Sequence, residues 1–324
     1  MNISVPRVSI LIPVYNRDAL IGPCIQSAID QTISDIEIIV IDNASTDNTW
    51  EVCKSFAARD PRVRIFRNET NIGPVRNWQR CIDEARADIG KIIFSDDLID
   101  PTFLEKTLHL LDDADVGFVF TSTIMGSEPW MGKVLYEFAE KTGKYLSLDF
   151  ITESFLAVNV PHSPGCAIFR IGDLKENLLE EIPSPIPRNF LMHGAGTDLL
   201  IYLLTARKYQ KIAFVAEPLS FFRAHEGSIS VSDKNYFIVH CYRQARLWFA
   251  GRYLNNKMSR KIFALEWRRE YHERKFFLLP SAWWTRYTTD NKPMNLSDIV
   301  WIIFYELIMP ERIIKGKWLK CLLH

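Results

Sequence analysis

The first hundred residues pass four times from a short β-branched run into a segment of helical periodicity. That alternation leaves little besides a parallel sheet with helices on its faces. Val8 to Ile12 reads as an apolar strand, and Ile21, Ile25, Ala28 and Ile29 then fall on one face of a helix from Ala19 to Ile29. Ile36 to Ile41 is the second strand. It turns at Asp42-Asn43-Ala44-Ser45, rich in helix-capping residues, into a helix from about Asp47 with Trp50, Cys53 and Ala57 inward. Val63 to Phe66 makes a third strand, and Trp78, Ile82 and Ala85 mark a helix after the Asn71-Ile72-Gly73-Pro74 break. Gly90 to Phe94 is the fourth strand; it stops at Ser95-Asp96-Asp97, and Pro101 opens the next helix. Val116 to Thr121 reads as a fifth. From Met125 to about Pro187, glycines and prolines break the pattern, as in loops over a functional site. A helix from Asp198 to Ala206, a strand from Ile212 to Val215 and long helices from Asn235 onward complete the chain.

Ligands of an open parallel sheet bind beyond the carboxyl ends of its strands, so the polar residues there belong together. After the first strand come Pro13, Val14, Tyr15 and Asn16; after the second, Asp42; after the third, the segment with Asn71, Gly73 and Asn77; after the fourth, Ser95, Asp96 and Asp97. Tyr15 offers a ring to stack on a base and Asp42 an acceptor for a base N–H, although a strand-end Asp or Asn also serves as a plain helix cap. Adjacent Asp96 and Asp97 repel each other unless solvated or neutralised by a cation. A hard ion such as Mn2+ or Mg2+ takes few protein carboxylates and fills its shell with phosphate oxygens and water. Paired aspartates capping a helix are the alternative. Asp198 sits between small residues and an apolar helix in Gly194-Ala195-Gly196-Thr197-Asp198-Leu199-Leu200, where it reads as a helix N-cap or as a carboxylate open to substrate. His225, in Arg223-Ala224-His225, follows the last strand and could ligate the same ion or be an ordinary loop histidine.

The balance of 39 basic against 39 acidic residues argues against nucleic acid as the main partner. The six cysteines are scattered, without zinc spacing or a disulfide framework, and read as reduced, buried thiols. Met1 to Arg7 lacks the charged start and apolar run of a signal peptide, which predicts a cytoplasmic protein.

The ordered series resembles glycosyltransferase family 2. It comprises Val8-Ser9-Ile10-Leu11-Ile12-Pro13-Val14-Tyr15-Asn16-Arg17, Ser27-Ala28-Ile29-Asp30-Gln31-Thr32, Glu37 to Asp47, Asn71-Ile72-Gly73, Ser95-Asp96-Asp97, Thr197-Asp198 and Arg223-Ala224-His225. The likeness covers about residues 5 to 230 and is strong through Pro101. It implies an α/β GT-A fold, Rossmann-like, with a mostly parallel sheet, helices on both faces and a C-terminal helical extension. It implies that Pro13, Tyr15, Asn16, Asp42, Asn71, Gly73, Asn77, Ser95 and Asp96 surround the nucleotide of a nucleoside-diphosphate sugar. Asp97, Asp96 and His225 would hold a divalent metal, and Asp198 would be the catalytic base of an inverting transfer to a saccharide or polyprenyl-linked saccharide. Phe94 stands where the family's first aspartate is common, so the motif favours Asp97 as the direct ligand and Asp96 on ribose or a metal-bound water. Relatives of this length build surface polysaccharide such as O-antigen or capsule.

Residues 1–230 would form the catalytic domain and 231–324 a helical region. There Trp248, Trp267, Trp283, Trp284, Trp301 and Trp318 interleave with arginines and lysines, a pattern suited either to packing on the domain or to an anionic membrane surface. The apolar stretch from Ile299 to Met309 is too short to span a bilayer. A nucleotidyltransferase would show a glycine-rich basic loop after the first strand, which Pro13-Val14-Tyr15-Asn16-Arg17 is not. A catalytically silent sugar-nucleotide scaffold has no need of Asp97, Asp198 and His225 together. The oligomeric state is not written in these motifs.

Overall fold

The computed structural model describes residues 5–156, 159–184, 189–225, 227, 237–274 and positions 283, 287 and 300. The four expected strands form as β1 (Val8–Val14), β2 (Ile36–Asp42), β3 (Val63–Arg67) and β4 (Ile89–Ile92). They alternate with α1 (Asp18–Ile29), α2 (Thr49–Ala57) and α3 (Pro74–Asp83). All residues of β1 and β2 are buried, as a strand covered on both faces requires. Ile10, Ile12 and Val14 pack with Ile21, Ile25 and Phe103 on one face, whereas Leu11 packs with Val75, Trp78 and Leu199 on the other. The two-residue period of β1 thus builds a core on each side of the sheet.

Pro101 lies in a turn, and α4 (Phe103–Leu108) begins two residues later. Asp100 Oδ1 accepts from the Thr102 amide at 2.9 Å and its hydroxyl at 2.6 Å, which closes that turn. The short β5 (Leu98–Ile99) precedes it. The strand expected at Val116 runs much further, as β6 (Val116–Glu128).

The stretch from Met125 to Pro187 is more regular than its glycines and prolines suggest. It holds β7 (Met131–Leu135), β8 (Gly143–Leu146), α5 (Ser147–Leu156), β9 (Ala167–Arg170) and α6 (Ile171–Asn177). These elements are short, and β7 is mostly exposed, so their order comes from partners elsewhere in the sheet and not from an apolar period of their own. Next come α7 (Thr197–Lys208) and β10 (Lys211–Arg223). The 10-stranded sheet runs β3-β2-β1-β4-β9-β6-β10-β5, with β7 on β6 and β8 on β10. It is mixed: β1 to β4 pair in parallel, β9 is antiparallel to both β4 and β6, and β6 and β10 are parallel. Because β9 reverses direction twice, β6 and β10 point the same way as β1 to β4. Their carboxyl ends therefore share one edge.

Beyond the sheet, α8 (Phe237–Tyr253) and α9 (Asn256–Arg274) bury Cys241, Ala245, Phe249, Phe263 and Trp267 in the core that α7 also fills. Glu266 is fully buried and meets Arg246 at 2.6 Å, Arg269 at 2.7 Å and Arg243 at 3.2 Å. Burial opposes its charge, but these guanidinium groups hold it down at about 2. Trp267 and Arg246 are thus turned inward. No helix among the described residues is long and apolar enough to cross a membrane. The stretch from Ile299, Trp301, Trp318 and the lysine-rich tail lie outside the described residues apart from Val300.

Gly194 begins the turn into α7. Its φ is +71°, and a Cβ there would stand 2.2 Å from the Trp78 ring. Gly194→Ala is expected to cost about 2–4 kcal/mol through backbone strain and overpacking, read as a lower denaturant midpoint at unchanged slope. A midpoint equal to wild type would show that α3 and this turn move apart freely.

Candidate active site

Three groups of residues meet at the shared carboxyl edge. The first lies at the ends of β1, β2 and β3, where register sets Val14 opposite Asp42 and Asp42 opposite Arg67. Asp42 is fully buried, and its Oδ1 accepts from the Ser45 amide at 3.1 Å. Its Oδ2 lies 3.0 Å from Arg67 Nε but out of hydrogen-bonding alignment, so this buried oxygen has no hydrogen-bond partner. The Arg67 charge offsets the burial of this oxygen, which keeps a lone pair for one further donor such as a ligand N–H. Pro13 lies within β1, and Tyr15, one residue past Val14, is 40% exposed at the same edge.

Asn16 takes a left-handed φ of 50° and ties the first two loops together. Its Oδ1 accepts from the Thr46 amide at 2.8 Å, and its amide donates to Ser45 Oγ at 2.9 Å. Behind Asp42 an asparagine network holds the loop before α3. Asn43 Nδ2 donates to Asn71 Oδ1 at 2.9 Å, Asn68 Nδ2 to Asn43 Oδ1 at 2.8 Å and to Asn77 Oδ1 at 2.9 Å. Asn77 Nδ2 reaches the Ile41 carbonyl at 3.0 Å, and the Gly73 amide donates to Asn71 Oδ1 at 2.9 Å. Asn71, Gly73 and Asn77 thus shape the wall beside Asp42.

The second group follows β4. Ser95 and Asp97 are buried, whereas the Asp96 side chain is 18% exposed. Since β10 ends at the same edge, the Arg223 amide donates to Asp97 Oδ1 at 3.0 Å and Arg223 Nε to the Asp96 carbonyl at 3.2 Å. Burial, and then the charge of Asp96, push the Asp97 carboxyl well above the ordinary range. Asp96 Oδ2 instead faces His225 Nε2 at 2.9 Å and Arg17 Nε at 3.9 Å. The Gly227 amide donates to His225 Nδ1 at 3.2 Å, which assigns the ring proton to Nε2 as a donor to Asp96. Beneath this group Lys91 is fully buried, with Nζ donating to the Gly165 carbonyl and lying 4.3 Å from the Phe103 ring centroid. Burial pulls its ammonium down to about 7. Among the described residues no three His, Cys, Asp or Glu side chains gather as a metal cluster.

The third group is at the start of α7. This helix feeds the amino end of β10, so its own amino end lies at the carboxyl edge. Asp198 Oδ1 accepts from the amides of Gly196 at 2.8 Å and Leu199 at 2.7 Å, but Asp198 is the second residue of α7 and the N-cap is Gly196, not Asp198 as its sequence suggests. Its Oδ2 accepts from the Tyr242 hydroxyl at 2.8 Å. Burial outweighs these donors and pushes the carboxyl up to about 7. Tyr136, just past β7, is raised by burial and then by the charges of Cys166, Asp198 and Asp97, so it lies within electrostatic reach of both carboxylates.

Sequence reasoning passed over Arg17, Arg67 and Tyr242. Arg67 was open to detection, because it ends the strand beside Asp42. Arg17 closes the first motif but was given no role, and Tyr242 carries no local signal.

A parallel-edged sheet of this topology with carboxylates after β2 and β4 is the GT-A arrangement. The structure of TarS from S. aureus in complex with UDP-GlcNAc superposes with a TM-score of 0.62 at 19% identity, over 82% of this chain and 73% of that one. The glycosyl transferase family 2 model matches residues 9–177, and the chain belongs to that family. Glycosyltransferase GlyG of Streptococcus pneumoniae is 25% identical over 235 residues, 68% of this chain and 72% of GlyG. Hyaluronan synthase of Pasteurella multocida is 35% identical over 119 residues, 36% of this chain and 12% of the synthase. Other relatives, matched over 33–37% of this chain, are spanned for 31–43% of their own length.

Proposed function

We propose that this glycosyltransferase moves a sugar from a nucleoside-diphosphate donor to a saccharide or lipid-linked saccharide acceptor, with inversion, in surface polysaccharide synthesis. The observation that carries the donor assignment is Asp42 itself, fully buried at the strand edge with its Oδ2 ion-paired to Arg67 but accepting no hydrogen bond, so that a base N–H could still be received there. Tyr15 would stack on the base, and the asparagine wall would hold the pocket's shape. UDP is the first candidate nucleotide, since TarS is seen with UDP-GlcNAc.

Asp97 suits a divalent cation, because a carboxylate pushed up by burial and by Asp96 is relieved by positive charge. Mn2+ or Mg2+, when bound, supplies positive charge to the departing diphosphate. Asp97 would hold it with phosphate oxygens and water completing the shell. His225, presenting its Nε2 proton, would donate to Asp96 at rest and to a diphosphate oxygen in the complex. Asp198 would take the acceptor's hydroxyl proton. Peripheral membrane contact would rest on the tail beyond the described residues.

The test is a thermal-shift series of UDP, GDP, TDP and UDP-GlcNAc with Mn2+. A selective ligand at a hundredfold excess over its Kd stabilises by about 2.7 kcal/mol. Asp42→Asn turns a donor towards the base and is expected to weaken that ligand by at least about tenfold. Equal melting with every nucleotide, or an unchanged Kd in Asp42→Asn, would remove the donor assignment.

A further inference from the structure

We propose that Tyr242, supplied by α8 from outside the family-matched segment, is the positioning residue of the catalytic carboxylate. Its hydroxyl donates to Asp198 Oδ2 at 2.8 Å, a contact that favours the ionised form and fixes the orientation of that oxygen. The assignment rests on Asp198 being the base. The two carboxylate oxygens are not equivalent. Oδ1 is spent on the amides of Gly196 and Leu199, which anchor the side chain to the first turn of α7. Oδ2 is therefore the oxygen that can receive a proton. A carboxylate oxygen accepts two hydrogen bonds, so with Tyr242 on one side a lone pair remains for the acceptor hydroxyl.

The phenol is itself held. His162 lies against the Tyr242 ring with centroids 4.5 Å apart and planes 32° from parallel. The His162 Nε2 is buried with no hydrogen-bond partner. Burial, followed by the charges of Arg246 and Arg269, holds this imidazole down at about 3, so it serves as a neutral packing ring. Burial and the neighbouring Asp198 charge push the Tyr242 hydroxyl well above its ordinary range, so it stays a donor at every working pH. The other titratable groups facing this corner are Tyr136 past β7, Tyr202 on α7, Cys241 on α8 and His193 ahead of α7; His193 Nδ1 accepts from the Ala195 amide. The charged cluster of Arg246, Arg269 and Glu266 acts on His162.

In the transfer, the acceptor O–H bond breaks and its proton passes to Asp198 Oδ2. The acceptor oxygen bonds the anomeric carbon as the bond to the diphosphate breaks, and the leaving diphosphate takes that electron pair. Tyr242 keeps its own proton throughout. Removing its hydroxyl deletes a donor that favours the ionised form, so Asp198 would release its proton only at higher pH.

The test compares the full-length protein with Tyr242→Phe. The Asp198 carboxyl titration is read by carbon NMR of labelled aspartate, assigned with Asp198→Asn, beside the acid limb of kcat/KM for UDP release from UDP-GlcNAc in Mn2+. In Tyr242→Phe the titration is expected to move up by about one to two pH units, with KM unchanged and turnover recovered at high pH. His162→Ala keeps the hydroxyl but removes the ring behind it, and should move the titration the same way by less; it decides the matter if Tyr242→Phe does not fold. A titration that stays at its wild-type pH in the folded variants overturns the assignment. A titration that moves while the acid limb does not, or an Asp198→Asn variant with full turnover, upholds the contact and instead removes Asp198 as the base.

Discussion

Asp198→Asn is expected to keep nucleotide-sugar binding and to lose transfer by about 10²- to 10⁴-fold, the usual worth of a positioned general base. The amide is isosteric, and its oxygen can still accept from the Gly196 and Leu199 amides, so the first turn of α7 should survive. What disappears is the basic oxygen. The wild-type pH profile offers a second check. A base acts only when deprotonated, and burial lifts Asp198 to about 7, so kcat/KM should fall as pH drops through that value. The asparagine variant should lack this limb. Proton NMR of the wild-type product should show the anomeric centre inverted. Near-wild-type turnover in the variant would remove Asp198 from the role, and retention at the anomeric carbon would call for another mechanism.

Asp97→Asn should abolish metal-dependent turnover, with a loss of at least about 10²- to 10³-fold, because charge stabilisation of the departing diphosphate goes with the carboxylate. The Arg223 amide contact at 3.0 Å can be kept by the amide oxygen, so the metal-free protein should melt near the wild-type temperature. The diagnostic result is selective. Mn2+ should sharpen UDP binding in the wild type and leave it unchanged in the variant, and a chelator should silence the wild type reversibly. Full activity in chelator would remove the metal, and a variant still responding to Mn2+ would move the ligand to Asp96.

Asp96 differs from Asp97 although the two are adjacent. Its side chain leans towards His225 and Arg17, whereas Asp97 turns inward to the Arg223 amide. The two positions alternate about the end of β4, one towards solvent and one towards the interior. Asn71 and Asn77, expected near the nucleotide, are tied to the ends of β2 and β3: Asn71 accepts from Asn43, and Asn77 accepts from Asn68 and donates to the Ile41 carbonyl.

The alternation of β1 to β4 with α1 to α3, and the strand ends that carry Asp42 and Asp97, were legible because each is set by residues within a few turns of one another, whereas β5 and the extension of β10 from Val215 to Arg223 were not. Apolar period and turn chemistry are local, and a parallel sheet puts every strand end at one edge without further instruction. The stretch from Met125 to Pro187 was not legible, since β7, β8 and β9 are short and become strands only through partners distant in the chain. The contacts that give the site its chemistry were decided by the tertiary structure alone. His225 meets Asp96 across 129 residues and Tyr242 meets Asp198 across 44. No sequence period links such pairs. They meet because β9 reverses direction and α8 packs back onto α7, and burial created by that packing, not the residue type, lifts the Asp198 carboxyl to about 7.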